Sequence, residues 1–122
     1  MGATGSRKHK GVESALVALL GHDDAERRAA AALVIGALGL DDDATFAQLE
    51  QRLRDDNAVV RLRAAESLGQ LQSETLALEL QPLLTDREPR VRNVVRRVLA
   101  EAKHLGPSDL EAMLEPKDEK ER

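Results

Sequence analysis

The stretch that begins at Asp55 returns 31 positions later and has a counterpart 33 positions earlier. Asp55, Val60, Arg61 and Leu68 fall on Asp86, Val91, Arg92 and Leu99. In the other direction, Asp56, Arg61, Ala64, Ala65, Leu68, Gly69 and Leu71 fall on Asp23, Arg28, Ala31, Ala32, Ile35, Gly36 and Leu38. The intervening segments align too, with Leu16, Leu49 and Leu80 in one register and Leu20, Leu53 and Leu84 in another. A period of 31–33 residues holding two apolar-periodic segments marks stacked helix pairs. One such pair cannot bury its own apolar face, so the units must stack into a continuous core.

Helical spacing fills in the map. Val60, Ala64, Leu68 and Leu71 form a stripe at i, i+4, i+8 and i+11, and Phe46, Leu49 and Leu53 form another. The chain is expected to be all-α, an α-solenoid of about three and a half antiparallel helix pairs. Its seven helices are expected at 12–20, 25–39, 44–54, 58–71, 74–84, 89–104 and 107–114. Asp24, Asn57 and Ser73 are suited to cap helix starts, and Pro89 to open one. Gly39, Gly69 and Gly106 fall near expected helix ends. Residues 1–11 read as a polar, basic lead-in, 12–114 as the repeat domain and 115–122 as a charged tail.

Composition agrees with helices. Phe46 is the single aromatic residue, and strands favour aromatic and β-branched residues. With no cysteine, there is no disulfide framework, thiol nucleophile or Cys-ligated metal. A net charge of −4 gives no global attraction to nucleic acid or anionic membrane. No apolar run is long enough for a membrane span. The run Arg7-Lys8-His9-Lys10 before Val12–Leu20 only mimics a signal peptide, because Glu13 interrupts the apolar stretch. These features point to a cytoplasmic location.

The string Asp-x-x-(Ala/Pro)-x-Val-Arg-x-x-Ala-Ala-x-x-Leu-Gly, clearest at Asp55 to Gly69, resembles the HEAT-like repeat, in particular the short variety named after phycobilisome lyases. The resemblance implies a right-handed solenoid with second helices on the concave side. Two positions depart from the pattern. Arg27 stands where an apolar residue is expected and Arg96 where a second Ala is expected, both in terminal units that need a polar outer face.

The residues that could carry chemistry mostly have structural explanations. Arg28, Arg61 and Arg92 recur near Asp23, Asp56 (or Asp55) and Asp86, which suits an inter-repeat ladder of charge-assisted hydrogen bonds. His22-Asp23-Asp24 sits at a helix start, where the aspartates cap and favour the dipole, and His104 sits in a last turn, so neither reads as a metal site. Asp41-Asp42-Asp43 lacks the alternating ligands of a calcium loop. No nucleophile triad, phosphate loop or paired carboxylate is evident, and no cofactor is expected.

The expected function is a non-catalytic protein–protein interaction or scaffold module. Its expected binding face, opposite Leu49 on the second helices, presents Gln48, Gln51, Glu79, Pro82 and Asp109, with Arg52 at one flank. An alternative basic patch is Arg90, Arg96 and Arg97. Residues 85–106 hold six basic residues against Asp86, Glu88 and Glu101. Two other functions fit parts of the sequence. One is a subunit or accessory factor of a tetrapyrrole (bilin) lyase, which only the repeat subtype suggests. The other is a nucleic-acid backbone binder using the sixth helix, against which stand the acidic net charge and the lack of stacking aromatics. The partner is expected to be a protein. Val12–Leu20 lacks its own first helix, so its apolar edge is a candidate for self-association.

Overall fold

A computed structural model describes the backbone of residues 2–102 and the side chains of residues 11–102. Among these residues there are six α-helices and no strand: α1 (Gly2–Leu20), α2 (Ala25–Leu38), α3 (Asp43–Arg52), α4 (Ala58–Gln70), α5 (Leu76–Leu80) and α6 (Pro89–Glu101). A 3₁₀ turn, Gln81–Thr85, links α5 to α6. Helix α2 packs on α4 and α4 on α6, so the first helices of successive units run side by side. Helix α1 rests on α2 and α3, α3 on α4, and the 3₁₀ turn on α6.

The core follows the repeat register. Leu20, Ile35, Leu49, Val60, Leu68, Leu76, Leu80, Val91 and Val95 are fully buried. Small residues bring α2 and α4 together. Ala31, Ala32, Ala64 and Ala65 are buried between them, and the Ser67 hydroxyl donates to the Ala32 carbonyl across the contact. Gly36 is required here for space, since a Cβ would stand 2.9 Å from Ser67 Cα, on backbone that cannot yield cheaply.

Helix ends follow local chemistry. Asp24 accepts from Glu26 N at 3.0 Å, Asn57 from Val59 N at 2.9 Å and Asp42 from Thr45 N at 2.8 Å. Gly39 closes α2 in the left-handed region at φ 71°.

Several expectations are corrected. The helix count among the described residues is six, not seven, and the expected helix at 107–114 lies outside them, as does Gly106. Helix α1 begins at Gly2, well before position 12, so the lead-in is helical. Residues 2–11 contain no proline, and extending a helix already anchored by Leu16 and Leu20 is far easier than nucleating one. The single helix expected at 74–84 is cut short. Pro82 has no N–H to donate and its ring crowds the carbonyl four residues earlier, so the α-helix stops at Leu80 and a 3₁₀ turn follows. Ser73 does not cap that helix, for its hydroxyl donates to Glu79 Oε1 at 2.9 Å. Gly69 lies inside α4, where it makes room for Val98 of α6.

The N-terminal edge is better covered than its missing first helix suggested. Leu16 and Leu20 are buried, and Val12 is exposed, at 44%. The reason is that α1 leans on α2 and α3, so the next unit covers most of its apolar face.

Candidate functional site

Two features stand out: a buried ladder of ion pairs along the loops, and an acidic groove on the side formed by α3 and α5.

The ladder has two complete rungs. Arg28 sends Nε and Nη2 to the two carboxylate oxygens of Asp55, at 2.8 and 2.9 Å, while its Nη1 donates to the carbonyls of His22 and Asp23 at 2.7 and 2.9 Å. Arg61 repeats the arrangement one unit on. Its Nε and Nη2 reach Asp86 at 2.9 and 3.0 Å, and Nη1 donates to the carbonyls of Asp55 and Asp56 at 2.7 and 3.1 Å. Each guanidinium therefore staples its own loop to the carboxylate of the following one. The carboxylates in turn accept backbone N–H groups two residues on, Asn57 N for Asp55 and Glu88 N for Asp86, both at 2.9 Å.

Of the ladder residues expected from sequence, Asp23 and Asp56 contribute only carbonyl oxygens, and Asp55 supplies the carboxylate. Arg92 donates through Nη1 to the Asp86 carbonyl. Burial pushes the Asp55 and Asp86 carboxyls up. Hydrogen bonds from Arg28 and Arg61, the backbone N–H donors and the arginine charges outweigh it, leaving both below the usual aspartate range. Arg28 is correspondingly raised, chiefly by its bond to Asp55.

The expected binding residues are only partly brought together. Gln51 and Pro82 are exposed, and Gln48 and Glu79 are half-buried. Arg52 turns into the ladder region, donating to the Leu20 carbonyl at 3.2 Å and Asp55 at 3.3 Å, so it belongs to the scaffold more than to a free surface. Asp109 lies outside the described residues. In the basic patch, Arg90 pairs with Glu88 at 3.2 Å, and Arg97 with Glu66 at 2.8 Å and Glu101 at 3.8 Å. Arg96 is exposed. The patch is thus partly neutralised by its own neighbours.

The groove was not read from sequence. Leu53, Arg54, Leu78, Glu79, Pro82, Leu83 and Glu50 enclose about 210 Å³. Glu50 also lines an adjoining recess of about 400 Å³ with Asp41, Asp43, Phe46 and Glu74. Leu78 is 73% exposed at the groove. Its outward position follows from helical spacing, because Leu76 and Leu80 are four apart and both buried, which turns residue 78 away. That signal was available in the sequence. The pairing of Glu50 with Glu79 across α3 and α5 was not, since it depends on how the helix cut at Pro82 sits.

Glu79 is held by the hydroxyls of Ser73 and Thr75, which donate at 2.9 and 2.8 Å. The Glu79 carboxyl, by hydrogen bonding, holds a proton on Glu50. Desolvation and the charge of Glu79 add to this and Arg54 opposes it, so the Glu50 carboxyl is pushed up to about 7.

Glu50 has a higher pKa folded than unfolded, so its contribution is full below about 4.5 and is lost as pH rises toward about 7. Solvent screens this exposed group, so the change is on the order of 1 kcal/mol. The low carboxyls of Asp55 and Asp86 act oppositely and lose their contribution as pH falls through their folded values. Thermal unfolding followed across pH 5 to 8 is expected to show a falling midpoint that Glu50→Gln flattens. An unchanged slope in that variant rules out Glu50 as the source.

Among the described residues there is no cluster of three or more His, Cys, Asp or Glu positioned for a metal ion. No described helix is long and apolar enough to cross a membrane.

Stacked helix pairs in a 31–33-residue register, joined by Arg–Asp rungs, define an α-helical repeat protein. A family model for HEAT repeats matches residues 46–121, more than half of the chain, and the chain belongs to that family. Repeats of this family generally mediate protein–protein interaction and are typically non-catalytic. No curated protein matches the chain.

Proposed function

We propose that this chain is a non-catalytic interaction module that docks a protein partner on the α3–α5 side, with Leu78 as the apolar anchor. The observation that carries this reading is the 73% exposure of Leu78 beside Pro82 and Leu83 in the groove. Exposed apolar groups gathered in a groove favour an interface, and a few anchors of this kind supply most of the binding energy.

Charge favours the same side. Asp41, Asp43, Glu50, Glu74 and Glu79 surround the groove and its recess, with Arg54 as the one cationic lining residue among the described residues. Such a field suits a partner with Lys or Arg side chains around an apolar residue, and it speeds encounter at low salt. The opposite groove, between α2, α4 and α6, also has an exposed apolar residue, Leu33 at 44%. There, however, Arg63 and Arg97 are already paired with Glu66, so little unmatched charge is on offer.

The test compares two charge insertions. The immobilised chain captures partners from native lysate, and the captured proteins are quantified for wild type, Leu78→Glu and Leu33→Glu. Leu78→Glu is expected to reduce specific capture at least tenfold, roughly 1.4 kcal/mol or more. Leu33→Glu is expected to leave it unchanged. The reverse pattern would move the interface to the α2–α4 side.

A further inference from the structure

We propose that the outer face of α2 is a self-association surface, on which a second copy of the chain packs its own α2 antiparallel about a two-fold axis near Val34. Three of the five large apolar residues left exposed among the described ones, Leu33, Val34 and Leu38, lie on this helix. With Ala30 and Ala37, also exposed, they recur at i, i+3, i+4, i+7 and i+8, which makes one continuous stripe. Val34 and Leu38 lie outside the α3–α5 groove, so this surface is independent of the partner proposed there.

The repeat register shows what the stripe is. Gly36 of α2 stands against Ser67 of α4, and Gly69 of α4 against Val98 of α6. Each first helix thus sets one position against the glycine of the unit before it. On α2 that position is Val34, 33 residues before Ser67. Ser67 and Val98 are buried, whereas Val34 is 38% exposed and Leu38, one turn on, is 43% exposed. The face is therefore the stacking surface of the array, left open among the described residues. A face that met only water would be polar.

Arg27 decides the occupant. Its equivalents Val60 and Val91 are fully buried, so a further unit stacked in the same register would bury an arginine. The Arg27 side chain is 64% exposed, beside Asp24 at 3.6 Å, and removing its water is costly. An antiparallel copy avoids this. With the axis at Val34, Leu38 falls on the partner's Ala30, large against small. Arg27 falls at the C-terminal end of the partner's α2, next to the partner's Asp41, which is exposed. The helix dipole and that carboxylate both favour a cation there, at the rim of the contact. A two-fold contact is self-complementary, so one stripe supplies both sides. Helix α2 has 14 residues and is about 21 Å long. The contact is smaller than the roughly 800 Å² per partner of a stable interface, so the expected Kd is on the order of 100 μM.

The experiment is sedimentation equilibrium of the full chain from about 10 μM to about 1 mM. The average mass is expected to rise toward twice the chain mass. Val34→Glu and Leu38→Glu are each expected to weaken the dimer at least about tenfold. Both residues are exposed, so the helical circular dichroism and Tm are expected to stay as in the wild type. Leu78→Glu, in the groove, is expected to leave the dimer unchanged. Arg27→Asp and Asp41→Arg are each expected to weaken it at least about threefold, and the two together to restore it. A monomer throughout the range overturns the proposal, as does a dimer indifferent to both Val34→Glu and Leu38→Glu. Loss of the dimer in Leu78→Glu also overturns it, because self-contact then lies in the groove. A double variant as weak as the single ones overturns the antiparallel pairing on which the proposal rests.

Discussion

Arg61→Leu is expected to lower the folding free energy by about 3–5 kcal/mol, a large share of the roughly 5–15 kcal/mol a domain of this size has. Arg61 and Asp86 are buried, with side chains only 6% and 8% exposed. The substitution removes four hydrogen bonds at once. It leaves the Asp86 carboxylate without its counter-charge, and the carbonyls of Asp55 and Asp56 without their donor. The cost is the desolvation of groups left unpaired more than the loss of attraction. A double change, Arg61→Leu with Asp86→Leu, is therefore expected to be less harmful than Arg61→Leu alone, because no charge is then stranded. Urea unfolding followed by circular dichroism measures all three chains. A loss below about 1 kcal/mol for Arg61→Leu would mean that the loops hold together without the rung.

Leu68→Ala should destabilise the fold by a comparable amount, ~2–5 kcal/mol. Leu68 is fully buried on α4, between α2 and α6, and has neighbours on both sides. The surrounding residues can collapse only partly into the vacated space, because the buried side chains of α2 and α6 are held by their own helices. The control is Leu78→Ala, at a residue 73% exposed, where the expected change is within about 0.5 kcal/mol. Equal effects at the two positions would show that the core register is wrong. A small effect at Leu78 on stability, set beside a large one on partner capture, would separate its role in binding from any role in folding.

The repeat register is what the sequence alone determined about this protein. Each unit repeats the same apolar stripe, so the burial of Ile35, Leu49, Leu68, Leu80 and Val91 can be read from spacing. The caps at Asp24 and Asn57 are equally legible, because capping depends on two or three adjacent residues. So are the arginines of the ladder, which recur at the repeat period.

Which carboxylate each arginine takes was decided by tertiary structure. Asp55 and Asp56 are adjacent in sequence, yet only the loop's path turns Asp55 toward Arg28 and leaves Asp56 its carbonyl alone. The raised carboxyl of Glu50 has the same origin. Neither residue is unusual where it stands, and the elevated carboxyl arises because two helices far apart in sequence bring like charges together in one groove. Pro82 falls between the two cases. Its power to end a helix is local and predictable. How the shortened α5 and its 3₁₀ turn then expose Leu78 depends on what α6 and the core leave uncovered. Periodicity sets which face of a helix is apolar. It does not set what meets the other face, because that depends on side chains from distant positions and on the space that Gly36, Gly69 and the alanines leave between helices.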